Sequence, residues 1–263
     1  MTLTLKTLDA RPLFLIVAAS LLLAGSSSAV TLTVCASSCD YTSIQSAIDA
    51  ASNGDTLSLS PETFVEGDIQ VDKDLTIKAS SGQAIVDGDG ELSVFEVDTD
   101  AFVTFEDLRL QNATRAMLIN HGIAYLETVW VLGDGSTSTV YGGIVNYATG
   151  FLVIRDASVV ASNVSASLGG GITNFGDLEI SGSTIMGNQG RLGGGIFNSQ
   201  GDVSVSSSSL SFNHATIRGG AYANAHVGGG AVVILPSASF SGNTADVACD
   251  KYYDIHRTPA CVN

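Results

Sequence analysis

From Thr56 onward apolar and polar residues alternate in short runs: Thr56-Leu-Ser-Leu59, Ile69-Gln-Val71, Leu75-Thr-Ile77, Ala84-Ile-Val86, Val94-Phe-Glu-Val97, Phe102-Val-Thr-Phe105 and Leu108-Arg-Leu110. Gly, Asp, Asn and Ser punctuate these runs, which predicts a succession of short β-strands. One earlier stretch has a different period. Ile44, Ala47, Ile48 and Ala51 recur at i, i+3, i+4 and i+7, Thr42-Ser-Ile-Gln45 reads as a capping box, and Gly54 as a left-handed C-terminal cap. A short amphipathic helix is therefore expected over 42–54. No later segment carries a helical period, which argues against alternating βαβ units.

The strand pattern also has a metre. Asn163, Asn188 and Asn213 lie 25 residues apart, each after a short strand-like run. Leu168-Gly-Gly-Gly-Ile172-Thr-Asn174 is echoed by Leu192-Gly-Gly-Gly-Ile196-Phe-Asn198, with weaker copies at Tyr141-Gly-Gly-Ile144-Val-Asn146, Ile119-Asn120-His-Gly122, Arg218-Gly-Gly-Ala221 and Phe240-Ser-Gly-Asn243. The repeats fill 141–245. A period in this range marks a solenoid, whereas an antiparallel sandwich would give short strands without the metre.

Stacked coils lie about 4.8 Å apart, so residues one period apart sit on one another. Inward asparagines can then hydrogen-bond from coil to coil. Asn163, Asn188 and Asn213 are expected to form one such ladder, with Asp134 and Asn243 as looser continuations. A second would hold Asn120, Asn146, Asn174 and Asn198. The Gly pairs and triplets at 142–143, 169–171, 193–195, 219–220 and 228–230 mark sharp bends or close coil approach. None resembles a phosphate-binding loop.

Residues 1–29 carry Lys6 and Arg11, an apolar run from Leu13 to Ala24, and small residues ending at Ala29, the order of a secretory signal. A retained membrane anchor is the alternative, and no Cys follows Leu23-Ala-Gly25 to indicate lipidation. Cleavage after Ala29 would leave 263 − 29 = 234 residues, enough for about nine coils in one domain, 30–263. A secreted or cell-surface, monomeric protein with no transmembrane span in the mature chain is expected.

The formal charge of −15 becomes −16 when Lys6, Asp9 and Arg11 leave, a balance that repels nucleic acid and polyanionic glycans. Four cysteines in an exported chain point to disulfides. Because a solenoid keeps its ends apart, the local pairs Cys35–Cys39 and Cys249–Cys261 are favoured, the second closing a C-terminal cap over 249–261. Metal binding by these cysteines lacks a matching ligand spacing.

Tyr41-Thr-Ser-Ile-Gln-Ser-Ala-Ile-Asp-Ala-Ala, Asn53-Gly-Asp-Thr-Leu and Val71-Asp-Lys-Asp-Leu-Thr-Ile77 together resemble the N-terminal cap and first coils of right-handed parallel β-helix proteins of the pectin-lyase-like superfamily. From Gly142 to Asn243 the Gly-Gly-Ile and Ile-x-x-Asn or Leu-x-x-Asn elements are similar to repeats of chlamydial polymorphic outer-membrane proteins. The first resemblance implies an all-β, right-handed parallel β-helix and leaves function open, because the superfamily spans lyases, hydrolases, epimerases and adhesins. The second implies a surface adhesin, although the C-terminal membrane barrel of those proteins has no counterpart here.

Pectate-type lyases pair a basic residue with carboxylate-held Ca²⁺. The acidic runs Asp87-Gly-Asp89-Gly-Glu91 and Glu96-Val-Asp98-Thr-Asp100 could seat calcium, with Asp98 and Asp100 on one strand face and Arg109 or Arg115 about one coil later. Asp-Gly turns and solvated strand edges are the competing and favoured reading. Polygalacturonase-like signatures are absent, and His121 reads as a turn residue. Along the repeats the outward positions are mostly Ser, Thr and Gly, with Glu179 aligned to Ser204, so no carboxylate cluster is expected there.

Asn112-Ala-Thr and Asn163-Val-Ser fit the glycosylation sequon, but Asn163 belongs to the proposed buried ladder, which leaves Asn112. Trp130 is expected in the core or on a coil flank rather than as a sugar platform, and His256 and Arg257 would tip the tail. The favoured function is a secreted, non-catalytic protein of surface or matrix adhesion or glycan binding, presenting a flat extended face to a polysaccharide or cell-surface ligand, without cofactor. The alternative is a carbohydrate-active enzyme, a Ca²⁺-dependent polysaccharide lyase or an epimerase.

Overall fold

The computed structural model describes residues 28–135, 138–225, 232–234, 237–246 and 252–254. Cys249, Cys261, His256, Arg257 and nearly all of the expected signal segment lie outside the described residues. Short strands stack in parallel into three long sheets, the faces of a β-helix. The first face has nine strands, from Thr31–Val34 to Val232–Ile234; the second has eight, from Thr63–Val65 to Ser239–Ser241; the third has eight, from Ile69–Val71 to Tyr252–Asp254. A five-stranded ladder from Ser138–Thr139 to Thr244–Ala245 is inserted between the second and third faces of the later coils.

About eight coils result, where nine were expected. Thr31–Val34 pairs in parallel with Asp55–Leu59 and opens the first face, but the chain then enters the helix instead of completing a turn. The helix is shorter than 42–54, running Ile44–Ala50. Its N-cap is Ser43, whose side chain accepts from the Ser46 N–H; Glu66 adds to the cap by accepting from the N–H groups of Ile44 and Gln45 at 2.8 Å each. Gly54 is left-handed but belongs to the turn into Asp55–Leu59, because the helix has already ended at an extended Ala51. Ile44, Ala47 and Ile48 are buried against the first coils. The Cys35–Cys39 disulfide closes a loop beside this end of the stack.

Alternation turns every second residue inward. Ile144, Ile172 and Ile196 stack in register on the third face and are fully buried, as are Leu126, Ile154 and Ile180 on the first. The asparagines add polar ladders to this core. Asn163 Nδ2 donates to Asn188 Oδ1, Asn188 Nδ2 to Asn213 Oδ1 and Asn213 Nδ2 to Asn243 Oδ1, each at 3.0 Å. On the third face Asn120, Asn146, Asn174 and Asn198 are linked the same way at 2.7–2.8 Å, and the series continues to Asn224 at 3.2 Å.

The glycines of the Gly-Gly-Ile motif make room for these amides. A Cβ on Gly143 would lie 2.8 Å from the Asn163 side chain, and one on Gly171 would lie 3.0 Å from that of Asn188. The tail, expected to depart from the metre, contributes Tyr252–Asp254 as a further strand of the third face.

Candidate functional site

On the first face, parity decides which side chains look outward. In Phe102–Glu106, Val103 and Phe105 fill the core, so Phe102, Thr104 and Glu106 face away from it. The next two coils carry Ile123, Tyr125, Glu127 and Phe151, Val153, Arg155 at the same positions. Phe102 and Ile123 are 40% and 41% exposed, so the patch is open to solvent. The Phe102 and Tyr125 rings meet edge to face with centroids 5.1 Å apart, and Tyr125 also contacts Phe151.

Arg155 lies over the Tyr125 ring at 5.1 Å and is held there by Glu127, which accepts from its Nε at 2.9 Å. That hydrogen bond, joined by the charges of Glu127 and Asp156, raises the Arg155 pKa further and keeps it cationic. Beyond Phe151 the face turns acidic. Asp177 pairs in register with Phe151, Glu179 with Val153, and both line a concavity of about 360 Å³ together with Phe151 and Asp202. Asp177 Oδ1 accepts the Asp202 N–H at 2.8 Å. Glu179 does align with Ser204. The expectation of no carboxylate cluster on the repeats is nonetheless corrected, because Asp177 and Asp202 sit one residue before the aligned strand cores and flank Glu179.

The candidate calcium residues are not brought together. The strand ends at Val97, so Asp98 and Asp100 occupy an exposed turn rather than one strand face. Asp89 is an exposed left-handed turn residue whose N–H donates to Asp87 Oδ1 at 3.0 Å. Arg115 lies over the Tyr141 and Tyr147 rings at 5.6 and 5.9 Å and donates to Tyr147 Oη. Burial, together with Tyr141, outweighs the Arg115 charge and raises the Tyr147 pKa. Among the described residues no three His, Cys, Asp or Glu side chains converge as metal ligands.

His121 stacks on Tyr147 at 4.4 Å, with Glu96 Oε1 3.3 Å from its Nε2. Tyr147 in turn stacks on Phe175 at 6.1 Å, so this column along the third face covers its ring faces against one another. Arg109 meets Asp87 instead of Asp89: both line a cavity on the second face. Partial burial opposes ionisation of Asp87, but hydrogen bonds from Gln111, the Asp89 N–H and Asn112, with the Arg109 charge, outweigh it and lower the pKa. Trp130 points outward beside Arg109 and is 40% exposed, a flank position and not a core one. Asn112 is exposed and donates Nδ2 to Asp87 Oδ1 at 2.8 Å, whereas Asn163 is fully buried.

Sequence reasoning did not single out Tyr125, Phe151, Asp177 or Asp202. The signal was parity: Phe102, Ile123 and Phe151 are apolar at positions where the strand pattern calls for polar residues.

No protein-family model matches the chain and no curated protein does, so the likeness of its repeats to chlamydial outer-membrane proteins gains no support there. Among solved structures it is similar to a crystal structure of pectate lyase Pel9A, with a TM-score of 0.55 and 15% identity over 87% of this chain and 75% of that one. At that identity the likeness shows the fold alone, a parallel β-helix, and leaves the chemistry to this chain's own residues.

Proposed function

We propose that this is a secreted, non-catalytic β-helix protein that binds neutral polysaccharide along its first face. The observation that carries the reading is the outward row of exposed Phe102 and Ile123 and half-buried Phe151, which runs in register into Asp177 beside Glu179 and Asp202. Apolar rings offer contact to the C–H faces of sugars, and carboxylates accept hydrogen bonds from hydroxyl groups. Coils repeat at about 4.8 Å, so a flat face presents such contacts at regular intervals to a polymer. The net charge of −15 disfavours polyanionic chains.

Secretion is supported by the order of residues 1–29 and by what cleavage after Ala29 would create. The new α-ammonium of Val30 would fall on the buried carboxylate of Asp55, whose Oδ1 accepts the Val30 N–H at 2.7 Å. N-terminal sequencing of protein exported by its native host tests this directly, and a start other than Val30 contradicts it.

The binding reading is tested by electrophoresis in native gels containing neutral polysaccharides. Wild-type protein should be retarded in at least one, and Phe102→Ser and Asp177→Asn should each restore free migration while leaving the thermal midpoint within a few degrees. A calcium-dependent lyase is the second reading, favoured by the fold of the pectate lyase and by the Arg109–Asp87 juxtaposition. Release of unsaturated uronate, with and without calcium, decides for it.

A further inference from the structure

The cavity that holds Arg109 and Asp87 has a volume of about 340 Å³, at the small end of ligand pockets. Asn112 and Asp134, both exposed, form part of its wall, so it communicates with solvent. Two polar atoms at it lack partners. Asn163 is fully buried, and its Oδ1 accepts no hydrogen bond from the described residues; the Nε of Arg109 is buried and donates none.

The ladder explains why Asn163 Oδ1 faces this space. In Asn188, Asn213 and Asn243 the Oδ1 points back to the preceding coil, where it accepts both the backbone N–H and the Nδ2 of the asparagine before it. Asn163 begins the series, so its Oδ1 points back toward Gly133 and Asp134, which line the cavity. A buried acceptor or donor left unmet is unfavourable because its lost hydration is not replaced, so this end of the ladder is a place where a bound group gains by supplying what the protein does not.

We propose that this cavity binds a single neutral, polyhydroxylated ligand of pyranose size, distinct from the polymer on the first face. Hydroxyls supply both halves of what is unmet, one oxygen accepting from Arg109 Nε–H and another donating to Asn163 Oδ1. Ala113 and Met117, both buried, give the cavity an apolar wall for the C–H side of the ring. Two carboxylates, Asp87 and Asp134, stand against one guanidinium, which disfavours an anion.

The test uses the whole protein carrying Phe102→Ser, so that the first face is silent, titrated by saturation-transfer NMR with D-glucose, D-xylose and D-galacturonate at millimolar concentration. A neutral sugar should bind, more tightly than galacturonate. Arg109→Met, which keeps the aliphatic stem, and Ala113→Leu, which fills the space, should each weaken it about tenfold or more. The proposal is overturned if neither neutral sugar binds, as a cavity holding only water would give, if galacturonate binds best, or if Arg109→Met leaves affinity unchanged. Because Arg109→Met leaves the core volume alone, a folding failure of Ala113→Leu does not weaken the test.

Discussion

Asn163 and Asn188 share two hydrogen bonds through one atom: Asn188 Oδ1 accepts the Asn163 backbone N–H and its Nδ2, each at 3.0 Å. The side chain thus serves as a backbone acceptor for a left-handed corner that no β-ladder reaches. Asn188→Leu removes that acceptor and strands the buried Asn163 backbone N–H, whereas Asn163 Nδ2 keeps the carbonyls of Val131 and Ala161. A loss of about 2–5 kcal/mol in unfolding free energy is expected, read from urea denaturation; a loss under about 0.5 kcal/mol would show that the ladder is dispensable.

The third-face ladder is equally intolerant of volume. A Cβ on Gly150 would collide with Asn146 Oδ1 and lie 2.9 Å from Asn120 Nδ2. Gly150→Ala should therefore destabilise by about 1–3 kcal/mol, as overpacking does, even though alanine is the better residue for an ordinary turn. Calorimetric midpoints of the two proteins compare this directly.

The Cys35–Cys39 bridge closes a loop of few residues, a separation of 4. Loop-closure entropy for so short a loop amounts to about 2 kcal/mol. The Cys35→Ser, Cys39→Ser protein should lose about that much and remain folded, since the buried stack downstream does not depend on it. Loss of β circular dichroism at room temperature would contradict this.

Asp55 accepts hydrogen bonds from the N–H groups of Val30 and Ser52, which hold its carboxyl below the usual value of 3.8. Because the folded pKa is the depressed one, its contribution is complete above about the unfolded value and is lost as pH falls through the folded value. Asp87 and Asp40 are shifted the same way. Stability should fall as pH drops below 3.8, and Asp55→Asn should flatten that limb without steepening any change above neutrality.

The coil architecture was legible because its cause is local and repeated. Ile172 and Ile196 recur with Asn174 and Asn198 at one spacing, and stacking requires nothing else. Asn224 escaped notice because Tyr222 replaces the isoleucine of the motif, although the ladder bond to Asn198 is kept. The nine-coil expectation failed at Thr31–Val34, where a strand supplies one face without the other two. The candidate site was less legible. Phe102, Tyr125 and Phe151 come from three successive coils, and only the register that pairs 102–106 with 123–127 and 123–127 with 151–155 makes Tyr125 a neighbour of both phenylalanines. The Asp87–Arg109 pairing was hidden similarly, since Asp89 looked as suitable until the turn carried it into solvent.

The most direct measurement is titration calorimetry of neutral oligosaccharides, chosen from the polysaccharide that retards the protein, into wild type and Phe102→Ser. Saturable binding to wild type, weakened about tenfold or more in Phe102→Ser with an unchanged thermal midpoint, is the predicted result. Absence of saturable binding, or equal affinity in the two proteins, would contradict a saccharide site on the first face.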